Sequence, residues 1–159
     1  MHEIQVLIGG KETTEAFAAT CSEALRRELT SELFMIPLTE ALVLQMTSQA
    51  LRLPDLEDPD EAKELASALQ PVVTSLLDAN LVGRLGVVLT QYFGGSGNQA
   101  ALLVENGTVS HGPFVGEGSI NRILARLGVC RDDKTGRDEF AVVGLDRWRS
   151  SDQIIGGAG

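Results

Sequence analysis

The sequence predicts an α+β fold: a single domain with a mostly antiparallel sheet and helices packed on it. Three observations predict it. Apolar residues recur at helical spacing in segments that begin with capping residues. After Asn80 the period changes to the alternation of strands, and Asn106-Gly107 separates two such runs as the two-residue turn of a hairpin. Strands therefore cluster in hairpins instead of alternating regularly with helices, which favours α+β over a doubly wound parallel sheet.

Taken in order, Ile4–Gly9 alternates weakly and ends in Gly9-Gly10, a strand followed by a turn. Thr13 or Thr14 then caps a helix running to about Leu29, with Phe17, Cys21, Ala24, Leu25 and Leu29 on its apolar face. Leu33–Leu38 reads as a buried edge strand, because Pro37 cannot donate to a ladder. Thr39 caps a second helix, Glu40 to about Leu51, that turns Leu42, Val43, Met46 and Ala50 inward. The acidic loop Pro54–Asp60 leads into Asp58-Pro59-Asp60-Glu61, where Asp58 caps, Pro59 takes the first helical position and Glu61 completes a capping box. The helix that follows buries Ala62, Leu65, Ala66, Leu69, Val73, Leu76 and Leu77, with a kink or break near Gln70 imposed by Pro71.

In the second half, Leu85–Phe93 places Leu85, Val87, Leu89, Gln91 and Phe93 on one face. Ala100–Glu105 and Thr108–His111 are the arms of the hairpin, since Asn-Gly supplies the two positive φ angles of a type I′ turn. Ser119 caps a further helix with the stripe Ile120, Ile123, Leu124 and Leu127 and the stop Gly128. Phe140–Leu145 is predicted to be a last strand, and Gly156–Gly159 a frayed tail after a domain spanning 1–155.

Composition excludes several function classes. The 159 residues carry a net charge of −9 and are 43% hydrophobic, too apolar for a disordered chain. The longest apolar stretches, Leu33–Ile36 and Ala100–Val104, are far too short to cross a membrane, and the acidic balance argues against nucleic acid. Met1–Val6 lacks the basic and apolar regions of a secretory signal, so a cytoplasmic location is expected. Cys21 reads as a small core hydrophobe and Cys130 as a thiol beyond a helix end, with no disulfide expected. Residues 1–70 hold 13 acids and 5 bases, whereas residues 71–159 hold 9 and 8.

Gly94-Gly95-Ser96-Gly97-Asn98-Gln99-Ala100 is the one segment that invites chemistry. Gly95, Gly97 and Ala100 fit a dinucleotide spacing, but a hairpin and not a helix follows, so no phosphate cradle is expected. The segment reads instead as a glycine-rich connection between strands whose polar neighbours can serve recognition. The candidate binding residues are Tyr92, Gly94, Gly95, Gly97, Asn98, Gln99, His111 and Asn121. A serine hydrolase elbow is ruled out because Gly95-Ser96-Gly97 lacks the G-x-S-x-G spacing, and His2 is terminal. The acids of residues 55–61 lack the spacing of a calcium loop, and Asp132, Asp133, Asp138 and Glu139 alternate with bases as a solvated turn. No catalytic set, metal site or cofactor is expected.

Several segments together resemble a group of small uncharacterised bacterial proteins: Ile36–Thr39, Gln91–Ala101, Gly112-Pro113, Ile120–Val129, Asp138–Phe140, Gly144-Leu145 and Arg147–Arg149. The resemblance covers residues 33–152, with Trp148 where the group tends to carry histidine and Leu103 where it tends to carry an aromatic residue. It implies that the Tyr92–Ala100 turn is a family feature. By analogy with small acidic bacterial proteins of this kind, it suggests toxin neutralisation.

The expected function is thus a non-enzymatic cytoplasmic binding protein, of the immunity type, that takes a basic protein partner and touches neither nucleic acid nor membrane. The alternative is a small-ligand or enzymatic domain built on the turn at 94–99. The chain is expected to be a monomer or a homodimer paired through its sheet edge.

Overall fold

The computed structural model describes residues 2–93 and 96–155. Its strands are β1 (Gln5–Gly10), β2 (Arg27–Glu28), β3 (Leu33–Pro37), β4 (Arg84–Phe93), β5 (Ser96–Glu105) and β6 (Thr108–Val115). They form one sheet in the order β2-β3-β1-β4-β5-β6, with every neighbouring pair antiparallel. The helices are α1 (Lys11–Thr20), α2 (Glu40–Thr47), α3 (Pro59–Ala62), α4 (Leu65–Asp78), α5 (Ser119–Arg126), α6 (Glu139–Val142) and α7 (Ser151–Ile155), with a 3-10 turn at Leu145–Arg147. The α+β fold read from the sequence is the fold observed.

Both faces of the sheet are covered. On one, Leu7, Ile36, Leu85, Val87, Leu89 and Leu102 join a core with Phe17 of α1, Leu42 and Val43 of α2, and Leu65, Leu69 and Leu76 of α4. On the other, Ile4, Val6, Ile8, Met35, Val88 and Leu103 join Ile120, Ile123 and Leu124 of α5, with Val143, Leu145, Trp148 and Ile154. A strand packed on both sides has no wet face, which is why Leu85–Thr90 is buried throughout. Chain order and layer order coincide: α1, α2 and α4 cover one face and α5 to α7 the other. The acid-rich first part of the chain therefore supplies one helical layer, and the near-neutral remainder supplies the opposite one.

The hairpin forms as its turn chemistry dictates, with Asn106 at φ +48° and Gly107 at φ +81° between β5 and β6. Thr39 accepts the Leu42 amide and Asp58 those of Asp60 and Glu61, so both caps form. Gly128 closes α5 with two bonds, its own amide to the Ala125 carbonyl and the Val129 amide to Leu124, which satisfies carbonyls left open by the last turn.

Other elements depart from expectation for identifiable reasons. Helix α1 starts directly after Gly10 and stops at Thr20; Thr14 donates its hydroxyl back to the Gly10 carbonyl and caps nothing. Phe17 and Leu29, aligned by spacing on one stripe, belong to opposite cores, because residues 27–28 have already entered the sheet against β3. That pairing also moves β3 one strand in from the edge. Ser48 takes a left-handed φ of +62° and ends α2, leaving Ala50 exposed. Glu61 accepts the Asp55 amide in place of a reciprocal bond to Asp58. The helix runs unbroken through Pro71, and the break falls earlier, between α3 and α4; Ala66 is exposed there, and Val72 takes a core position. Gly118 occupies the cap position of α5, while Ser119 donates to the Gly116 carbonyl. The strand expected at Phe140–Leu145 is α6 followed by the 3-10 turn, because the Asp138 carboxylate accepts the Ala141 amide and nucleates a helical turn. The tail at 156–159 lies outside the described residues.

Candidate functional site

The ladder between β4 and β5 runs to its end through Gln91↔Asn98, Tyr92↔Gly97 and Phe93↔Ser96. Gly94 and Gly95, both among the candidate binding residues, lie between these strands and outside the described residues. Alternation sends Gln91 and Phe93 to the face covered by α2 and α4, and Tyr92 to the face covered by α5. Gly97 has no tolerance for a side chain: a Cβ there would overlap the Gln91 carbonyl oxygen and the Tyr92 Cα.

On the α5 side, Tyr92, Gly97, Asn98, Gln99 and Asn121 line one cavity of about 620 Å³, which Glu117, Gly118, Arg131 and Asp138 complete; the Asn98 side chain itself turns to the opposite face. Its amides are already engaged. Gln99 donates from Nε2 to the Tyr92 hydroxyl at 2.9 Å and accepts the Ile120 amide at 2.9 Å. Asn121 accepts the Phe140 amide at 3.0 Å and donates to Asp138 at 3.1 Å. These bonds dock the start of α5 on the sheet and α6 on α5. Replacing Gln99 by Ala leaves the buried Ile120 amide without an acceptor, and should cost about 1–3 kcal/mol in urea unfolding. A loss under 0.5 kcal/mol (roughly the scatter of surface substitutions) would contradict that role.

No histidine or cysteine lines this cavity, and Arg131 is paired with Glu139 at 3.5 Å. His111, grouped with the turn on sequence grounds, is elsewhere: it lines a separate cavity with Phe114, Arg122 and Arg126. The register explains the separation, because His111 pairs with Leu103, well along β5 from Asn98 and Gln99.

On the opposite side of the same strand end, the hairpin grips the acidic loop. Gln91 accepts the Leu56 amide at 3.0 Å and donates to the Pro54 carbonyl at 3.0 Å. Asn98 donates to the Leu56 carbonyl at 2.8 Å, and Ser96 to the Glu57 carboxylate at 2.5 Å. Leu56 is buried beneath these bonds. Within the loop, Glu61 accepts the Asp55 amide and Asp55 the Glu57 amide. The result is a fixed platform on which Asp55, Glu57, Asp58, Asp60 and Glu61 are all exposed, beside Phe93, a ring left 55% exposed. By sequence alone this segment reads as a solvated loop. The signal for the contact is Gln91, a polar residue at an inward position of an otherwise apolar strand face.

His2, terminal in the sequence, is tied to the sheet beside Tyr92. Its Nδ1 meets the Thr90 hydroxyl at 2.9 Å, and its ring lies 5.8 Å from that of Phe140 and 6.4 Å from that of Tyr92. Burial holds its pKa below 6.5; the Leu145 carbonyl opposes the shift and the Arg149 charge adds to it. A folded-state value below the unfolded one stabilises the protein fully above pH 6.5, and that contribution is lost as pH falls through the lower folded value. The urea midpoint should therefore drop more between about pH 7 and 5 in the wild type than in His2→Gln; parallel drops would contradict it.

No family model, curated protein or solved structure matches this chain. Among the described residues no helix is long and apolar enough to cross a membrane.

Proposed function

We propose that this chain is a non-enzymatic cytoplasmic binding protein, of the immunity type, that docks a basic protein partner on the acidic platform of residues 54–61 and the adjoining end of the β4–β5 hairpin. The observation that carries this reading is the clamp: Gln91, Ser96 and Asn98 fix Pro54, Leu56 and Glu57, and with them a loop on which five acids are exposed. Charges held by the scaffold need no ordering on association, and a surface on which five acids face one lysine, Lys63 at 3.7 Å from Asp60, steers an oppositely charged partner. Phe93 adds an apolar anchor of the kind that concentrates binding energy within a polar surround.

Affinity capture from the source lysate tests this reading. The wild type should retain a basic protein at low salt that is released at high salt. Neither Phe93→Ala nor a variant with the platform acids changed to amides should retain it. Equal retention by all three overturns the reading.

A second reading is favoured by the convergence of Tyr92, Gly97, Asn98, Gln99 and Asn121 on one cavity, which is of small-ligand size. A ligand held there should raise the unfolding temperature of the wild type and not of Glu117→Gln or Arg131→Gln, whose side chains line that cavity.

A further inference from the structure

The groove between α5 and β6 belongs to neither surface. It has a volume of 410 Å³ and is lined by His111 and Phe114 from β6 and by Arg122, Ile123, Ala125 and Arg126 from α5. Arg122 and Arg126 are one helical turn apart, so their side chains share a flank of α5. Neither guanidinium has a carboxylate partner among the described residues. Two like charges at this spacing oppose each other and weaken the helix.

The ordinary duty of an arginine in a last helical turn is to satisfy the terminal carbonyls. Here that duty is discharged by others. Arg84 donates from Nη1 to the Arg126 carbonyl at 2.8 Å, and Gly128 and Val129 bond the carbonyls of Ala125 and Leu124. Glu105, the acid on the neighbouring strand, is taken by Arg84 at 3.6 Å. Among the described residues the Arg126 guanidinium thus has no ion-pair partner, and the Arg122 guanidinium lies over the Phe114 ring with its Cζ 4.9 Å from the centroid. A guanidinium held over a ring keeps its edge donors free for an anion.

We infer that this groove binds a small organic oxyanion, a carboxylate or phosphate carried on a flat apolar body. Arg122 and Arg126 take the charge, and Phe114 and Ala125 form the wall for the body, backed by the buried Ile123. His111 stands on the β6 side, with Nδ1 engaged by the Ser110 hydroxyl at 3.0 Å and Nε2 uncommitted among the described residues. The site is independent of the acidic platform, so either can fail without the other.

Titration of the ¹⁵N-labelled protein with benzoate, phenyl phosphate and inorganic phosphate tests the inference. Benzoate or phenyl phosphate should produce saturable amide shifts confined to residues 111–126, and whichever binds tighter identifies the oxyanion. Inorganic phosphate should bind at least tenfold more weakly. Arg122→Gln and Arg126→Gln, both at exposed positions, should each weaken binding about tenfold or more while leaving the remaining spectrum in place. Absence of saturable shifts up to about 10 mM overturns the site. So do shifts that the arginine variants leave unchanged, and equal affinity for inorganic phosphate overturns the apolar wall.

Discussion

Gly97→Ala is expected to destabilise the protein by about 3 kcal/mol or more, out of proportion to the addition of one methyl group. The atoms its Cβ would meet are the Gln91 carbonyl oxygen and the Tyr92 Cα, which are backbone and cannot turn aside as a side chain can. Relief requires the end of the β4–β5 ladder to part. That movement carries Gln91 and Asn98 with it, so the bonds that seat Leu56 and the acidic loop are lost as well. Two readouts follow. The urea midpoint should fall, and amide exchange across residues 54–61 should accelerate more than in the core strands. Gly10→Ala is the matched control: a Cβ there meets nothing within 4 Å, and its φ of −70° suits any residue. It should stay within about 0.5 kcal/mol of the wild type. Equal behaviour of the two variants would contradict the steric argument.

The second large effect concerns rate. Changing Asp55, Asp58 and Asp60 to Asn and Glu57 and Glu61 to Gln removes five negative charges and keeps the acceptor oxygens. Asn replaces Asp at a helix cap at little cost. The bonds from Asp60 and Glu61 to residue 58, from Ser96 to residue 57 and from Asp55 to residue 61 can therefore persist. Stability should change little, whereas association with the basic partner should slow by about 10- to 1,000-fold at low salt. Gln91→Ala separates charge from placement: it keeps every acid and removes two of the four clamp bonds, those to the Leu56 amide and the Pro54 carbonyl, and should weaken binding through loop ordering.

Much of the fold is legible in the sequence because local chemistry and tertiary structure agree there. Asn106-Gly107, Thr39, Asp58 and Gly128 each meet a backbone requirement that few other residues meet, and each holds. Errors arose where apolar spacing was the only guide. Leu29 continues the spacing of Phe17 and Cys21 yet packs on the other side of the sheet, since spacing does not say which face a residue will cover. Phe140 to Val143 has strand composition, and the Asp138 cap overrides it. The two covered faces were hinted at by the unbroken runs Val87–Leu89 and Ala100–Val104, which alternation alone cannot explain.

The candidate site was legible only in part. Tyr92, Gly97, Asn98, Gln99 and Asn121 do come together, whereas His111 falls to a different groove because the register of β5 and β6 carries it away. The joining of the turn to the acidic loop was not legible. Residues 56 and 91 are tied by an amide side chain across a long stretch of sequence, and no local pattern encodes that partner. His2 was missed for the same reason, its partner being Thr90.

The measurement that most directly tests the acidic platform as the docking surface is the association rate of the captured partner as a function of ionic strength, compared between the wild type and the five-amide variant. The wild-type rate should fall steeply with added salt, and the variant should start lower and fall little, the two converging at high salt where surface charges are screened. Two curves of equal slope and equal low-salt rate would show that the partner docks elsewhere.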